Sequence, residues 1–190
     1  MGCISSKTYP PMTTVPRCET NKMMGTWFVI AVKPTPFETT CSNAVETYTR
    51  MTDSDFDIDI DFQYNQSEAI TSSLKSIGQR GWVQGMDKDN SSNWKISPFA
   101  CIRMPYPIIE LDDSNYEWVV VGHESRNYAW IMARKPVIDD ALITTLKQRL
   151  VEKHGYDLEG MRYVPQIWTK EERTKRMLDS VISDEYLQTN

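Results

Sequence analysis

Long hydrophobic runs are missing from this chain of 190 residues: its apolar stretches last only a few residues, so no segment is expected to cross a bilayer as a helix. The first 20 residues also lack the continuous apolar core, roughly 7 to 15 residues long, of a secretory signal, which disfavours export. Histidine is scarce. The two present, His123 and His154, follow a strand-like run and lie near a helix end, where solvated or capping roles fit better than catalysis. There is no G-x-S-x-G, no G-x-x-x-x-G-K-S/T, no H-E-x-x-H and no zinc-spaced Cys/His group, so neither an enzyme nor a cofactor or metal is expected. The four cysteines show no CxxC spacing and are too sparse for a disulfide scaffold. Cys18, Cys41 and Cys101 read as free thiols, with a bridge between two of them left open. Basic charge is short as well: 21 Lys+Arg against 26 Asp+Glu give a formal net charge of -5, with no basic stripe to neutralise phosphates. Nucleic acid is not an expected partner.

What is present suits one domain. A chain of this length buries roughly 70% of its unfolded surface, enough for a real core, and 40% hydrophobic with 25% charged residues is a globular composition. Its start, Met1-Gly2-Cys3-Ile4-Ser5-Ser6, fits the pattern for myristoylation of Gly2. One such chain holds a protein to a membrane only weakly, on the order of 10⁴ M⁻¹, so a second signal is required. Residues 1–20 offer only Lys7 and Arg17 as cations, which leaves palmitoylation of Cys3 as the better candidate and the cytoplasmic face of a membrane as the expected location. The sequons at Asn65 and Asn90 would matter only in a secreted chain. Pro10, Pro11 and Pro16 make the following stretch a spacer.

The centre reads as a β-meander. Residues 55–64 alternate polar and apolar without an error, placing Phe56, Ile58, Ile60, Phe62 and Tyr64 on one face of a strand. A calcium loop starting at Asp55 is the alternative, but its sixth and twelfth positions are Ile60 and Gln66 where Gly and Glu are needed. Similar runs span 27–32, 44–49, 77–84, 93–96, 108–111, 118–122 and 128–133, separated by turn residues, so eight consecutive strands are expected in an antiparallel up-and-down barrel. Leu142, Leu146 and Leu150, with Ile143 and Val151 beside them, predict a helix over 139–154 capped by Asp139 or Asp140 and ended at Gly155. A short strand over 161–167 and a second amphipathic helix through Leu178, Val181, Ile182 and Tyr186 complete the expectation. The organisation is then 1–20 anchor and spacer, 21–168 barrel domain, and 169–190 helical tail.

Gly25-Thr26-Trp27 resembles the G-x-W opening of lipocalins, and the run from Ser125 to Pro136 resembles their final-strand motif with its arginine, Arg134. Between them, Ile109 to Tyr116 resembles the central motif. Ile138 to Gln166 is similar to the helix and closing strand of bacterial outer-membrane lipocalins, apolipoprotein D and plant temperature-induced lipocalins. The likeness covers about residues 20 to 168. Pro36 to Cys41 is also similar to the lipocalin domain of violaxanthin de-epoxidases, but the Cys-rich and Glu-rich regions of those enzymes are missing here. The resemblance implies an eight-stranded barrel in which Arg134 packs across the Trp27 ring at the closed end. It further implies a carrier for a fatty acid, lysophospholipid, retinoid or carotenoid-like molecule. Strand parity puts Trp27, Val29 and Ala31 on one face and Tyr128, Trp130, Met132 and Arg134 on another inward face. The candidate ligand-binding residues are Tyr48, Ile58, Ile60, Phe62, Trp82, Val120, Tyr128 and Trp130, with Met104 and Tyr106 at the mouth. The alternatives are an interaction module that uses the barrel as a scaffold and, less favoured, a de-epoxidase-like enzyme.

Overall fold

The computed structural model describes residues 9–36, 38–68, 73–99 and 102–188. Gly2, Cys3 and Cys101 lie outside the described residues. A single turn of helix, α1 (Thr20–Met23), leads into eight strands: β1 (Gly25–Lys33), β2 (Ser42–Arg50), β3 (Ile58–Asn65), β4 (Leu74–Val83), β5 (Asn93–Phe99), β6 (Ile102–Leu111), β7 (Trp118–Val121) and β8 (Ala129–Ala133). Each pairs antiparallel with the next, and β1 pairs with both β2 and β8, so the sheet closes into an eight-stranded up-and-down barrel. β3 shows why these segments are strands: Ile58, Ile60 and Phe62 are buried while Asp59 reaches solvent, which is the alternation in the sequence turned into an inside and an outside.

β1 carries the closure because it serves two neighbours in turn. Gly25 to Phe28 pair with β2, whereas Phe28 to Lys33 pair with β8. Where β2 diverges, the edge of β1 is taken by the short β9 (Arg162–Tyr163) at Ala31 and Val32. A bulge between Val29 and Ala31 adds one residue to β1 and reverses its parity. Trp27, Val29 and Val32 therefore join the inner core, and Ala31, expected beside Trp27, faces outward instead.

The outer face is covered by α2 (Asp140–Glu152). The Asp139 carboxylate caps this helix by accepting from the Ala141 N–H at 2.7 Å, and Gly155 leaves it with φ +72. Leu146 and Leu150 pack on Ala31, Ile109 and Ile131, while Val151 is exposed. His154 is neither solvated nor a helix cap. It is buried and bonds Glu110 of β6 at 2.9 Å, and Lys153 and Arg149 meet the same carboxylate at 2.7 and 3.1 Å. Burial alone would push the Glu110 carboxyl up, but hydrogen bonds from Lys153 and His154 outweigh it and hold the group below its ordinary value.

The expected second amphipathic helix is interrupted. α3 covers only Lys170–Lys175, Met177 takes a left-handed φ of +57, and the chain continues through turns to a short 3-10 segment at Asp184–Tyr186. Leu178 and Ile182 still bury against Phe28, Val45 and Trp168, while Val181 faces solvent. The tail is held by Trp168, edge-on to Phe28 at 5.9 Å, and by buried Arg176, which bonds the Asn43 carbonyl at 2.7 Å as well as Glu172 and Asn65. Such anchors do not need a continuous helix.

Two buried thiols accompany this framework. Cys18 and Cys41 are free, and burial pushes them up to about 12 and about 11. The closed end of the barrel is sealed by the two motif residues. Arg134 lies 3.6 Å over the Trp27 ring and donates to the carbonyls of Thr26, Lys22, Met24 and Tyr116. Trp27 Nε1 donates to Met23 O at 2.8 Å. Gly25 opens β1 with a left-handed φ of +92, which is what favours glycine there; a Cβ would meet Arg134 Nη1 only at an ordinary contact distance of 3.5 Å. The stacked guanidinium contributes about 0.5 to 2 kcal/mol, and the carbonyl bonds add to it. Replacing Arg134 with alanine is expected to lower the unfolding free energy by about 3 kcal/mol in urea titrations, and Arg134→Lys to recover less than half, since an ammonium cannot stack and fork at once.

Candidate ligand cavity

The inner core does not fill the barrel. Toward the end where β1 finishes and β2 begins, a cavity of about 260 Å³ remains, bounded by Phe62 of β3, Ile77 and Gln79 of β4, Ile96 of β5, Met104 and Tyr106 of β6, and Tyr128 and Trp130 at the start of β8. Thr35, Pro36 and Glu38 from the β1–β2 connection, with Ile102, form its rim. The aromatic wall is continuous, with ring centroids 5.9 Å apart between Tyr106 and Trp130 and 6.5 Å between Trp130 and Tyr128. The Tyr156 hydroxyl donates to the Tyr128 carbonyl at 3.1 Å and fixes that edge of the mouth.

Of the residues expected at a site, Phe62, Tyr128 and Trp130 line this cavity, as do Met104 and Tyr106. Tyr48, Ile58 and Ile60 belong to the packed core nearer the closed end. Tyr48 still takes part through its hydroxyl, described below. Two expected positions face the other way. Val120 packs outside the barrel in the cluster of Leu146 and Leu150, because its neighbours Val119 and Val121 take the inward parity. Trp82 is likewise outward: Val83 points in, and the Trp82 ring lies under Arg103 at 3.8 Å with its N–H on the Asp55 carbonyl.

The polar groups in this greasy space were not among the expected ones. Glu46 of β2 is 5% exposed, and its Oε2 meets the hydroxyls of Tyr48 at 2.5 Å and Tyr106 at 3.1 Å, which themselves lie 2.8 Å apart. Three contacts share two phenolic protons, and the third bond of the triangle is supplied when the carboxyl keeps its own. Burial pushes the Glu46 carboxyl up to about 7; the Tyr48 and Tyr106 bonds oppose the rise and repulsion from Glu38 adds to it. Burial next to this carboxyl raises both phenols well above their ordinary value. Glu38, also 5% exposed, accepts from Trp130 Nε1 at 2.8 Å through Oε1 and from the Thr35 N–H and hydroxyl at 3.0 and 2.6 Å through Oε2. It latches the β1–β2 connection over the mouth.

Parity was the available signal for Glu46, which stands two residues before Tyr48 on the same strand face. A carboxylate on an apolar face runs against the usual rule of burial. Glu38 lies in a connection that no periodicity describes.

With the barrel and its cavity in place, the chain belongs to the lipocalin-like family: the family's lipocalin-like domain matches residues 18–166. It is 24% identical over 184 residues to temperature-induced lipocalin-1 of Arabidopsis thaliana, covering 89% of this chain and 90% of the relative. It is 24% identical over 148 residues to the outer membrane lipoprotein Blc of Vibrio cholerae, covering 78% and 82%. Among solved structures, insecticyanin from the tobacco hornworm Manduca sexta superposes with a TM-score of 0.61 at 12% identity, over 85% of this chain and 87% of that one.

Glu46 gives the fold a pH signature. The unfolded carboxyl loses its proton near 4.5, while the folded one keeps it to about 7. Across that interval the folded state holds more protons, so stability falls as pH rises and levels off above it. The fall due to this group is about 3 kcal/mol. Urea titrations of wild type and Glu46→Gln at pH 4.5 and pH 8 are expected to differ by that amount in their pH dependence, with the variant flatter.

Proposed function

We propose that this protein binds and carries or sequesters a small hydrophobic molecule in the mouth of its barrel. The observation that carries the reading is the cavity itself, an apolar, aromatic-walled hollow left where side chains could have closed the core. Membership of the lipocalin-like family supports the same reading. Binding would draw on burial of ligand surface at roughly 25 cal/mol per Å², less the cost of ordering, and needs no chemical step. A scaffold whose loops or tail make the contacts is less well supported, because such a module has no use for the hollow.

The reading places the protein at the cytoplasmic face of a membrane, through acylation of Gly2 and Cys3. One feature of the fold favours that arrangement. Tyr9 and Pro10 sit at the β7–β8 turn, where Arg126 lies 5.1 Å over the Tyr9 ring and donates to the Pro10 carbonyl at 2.7 Å. Tyr128 follows in the same turn and lines the cavity, so an acylated terminus would hold the mouth toward the lipid.

Two measurements test these parts separately. Apolar ligands are expected to quench Trp130 fluorescence in a saturable way, and Met104→Trp, which fills the hollow, is expected to weaken binding by at least about tenfold, or 1.4 kcal/mol, without unfolding the barrel. In cells, the intact mass is expected to carry one myristoyl and one palmitoyl group, and Gly2→Ala to move the protein from the membrane to the soluble fraction. An unmodified mass would remove the tether and leave the carrier reading standing.

A further inference from the structure

The cavity has an unequal charge inventory. Two carboxylates, Glu38 and Glu46, border it, and none of the described residues that line it is Lys, Arg or His. Lys75 shares a strand face with Ile77 but is exposed and does not line the hollow, and four other cations on the neighbouring elements are engaged elsewhere or turned away. Lys33, at the end of β1, bonds Asp157 Oδ1 and the Glu159 carbonyl, both at 2.6 Å. Arg162 is held by the Cys41 carbonyl and Glu68. Arg80 and Arg103 lie over Phe56 and Trp82 on the outside of the sheet. An organic acid entering as its anion would find no counter-ion among these groups, and would bring its charge against two carboxyls in a medium of low dielectric.

The two carboxylates differ in what they have left to offer. Both oxygens of Glu38 are taken, by Trp130 and Thr35. In Glu46 both phenols converge on Oε2, and among the described residues no group donates to Oε1. The residue is nine-tenths and more buried and borders the hollow. A carboxylate oxygen that meets no donor among the described residues, on a residue lining a ligand-sized space, is complementary to a head group that brings a proton. A cationic head meets that need best, since it also neutralises the charge whose desolvation the barrel otherwise bears alone.

We propose that the cavity selects apolar molecules headed by a protonated amine, with the ammonium donating to Glu46 Oε1 and the hydrocarbon lying along Phe62, Met104, Tyr128 and Trp130, and that it discriminates against carboxylate-headed lipids. This rests on the carrier reading above and narrows its ligand class. The aromatic wall suits the choice, because rings within reach of an ammonium add cation–π attraction that a carboxylate cannot gain.

The test uses three probes of one chain length and different heads: decylamine, decanol and decanoate, titrated by calorimetry at pH 8 into the full-length protein and into Glu46→Gln. The wild type is expected to bind decylamine at least about tenfold more tightly than decanoate, with decanol between them. In Glu46→Gln the ratio of amine to alcohol affinity is expected to fall by about tenfold, since the amide presents no charge. Decanoate binding as well as decylamine, or an amine preference that survives Glu46→Gln, would overturn the proposal while leaving a carrier. Binding of none of the three would overturn the carrier reading itself. Should the Gln variant fail to fold, the wild-type ranking of amine over acid decides alone.

Discussion

Everything else in this molecule depends on β1 being shared. An up-and-down sheet of eight strands closes only if the first strand pairs with the last as well as with the second, and β1 does so by dividing its length between β2 and β8. The bulge near Ile30 accommodates the change, and β9 covers the edge that β2 leaves. Closure leaves several carbonyls to be satisfied by a side chain at the end where β1 begins. There Arg134 answers four carbonyls at once while its guanidinium lies flat on Trp27. The plug at that end is what allows the other end to stay open: a barrel that is packed and hydrogen-bonded from one side can tolerate a hollow at the other.

Much of this was legible in the residues. The alternation through β3, the turn-punctuated runs and the leucine stripe of α2 each carry their own periodicity, and they led to eight strands and an outer helix. The G-x-W triplet is readable for a physical reason, since the backbone enters β1 through a left-handed φ of +92 that favours glycine two residues before the tryptophan. The failures share a different cause. A bulge is invisible to a period-2 count, so Ala31 changed sides. In β7, Val119, Val120 and Val121 are chemically alike, and choosing the inward one requires the register with β8, which pairs Val120 with Ile131 and Val121 with Trp130. Trp82 looked like a binding residue because it is large and aromatic, yet parity against Val83 sends it outside, where an arginine shelters it. The tail kept its apolar spacing while losing the helix, because Trp168 and Arg176 fix it through contacts distant in sequence.

The cavity was legible in outline and opaque in its chemistry. Apolar area on inward faces pointed to Phe62, Tyr128 and Trp130, all of which line it. The carboxylates that give the space its polarity came from positions where charge is disfavoured on general grounds, so hydrophobic pattern could not nominate them. Their burial is also the reason they matter. A carboxyl in water would say little about what enters the barrel, whereas Glu46, closed in by two phenols and pushed up to about 7, changes its charge with small changes around neutrality.

The two sulfur atoms within the framework lead in another direction. Cys18 and Cys41 stand apart, each sealed by burial and held at about 12 and about 11, so that almost no thiolate exists at neutral pH. Without thiolate there is little to attack a peroxide or a passing disulfide. Among the described residues the walls around these two atoms stand by packing and hydrogen bonds rather than by cross-links, and an oxidant would find little thiolate in Cys18 or Cys41 to act on.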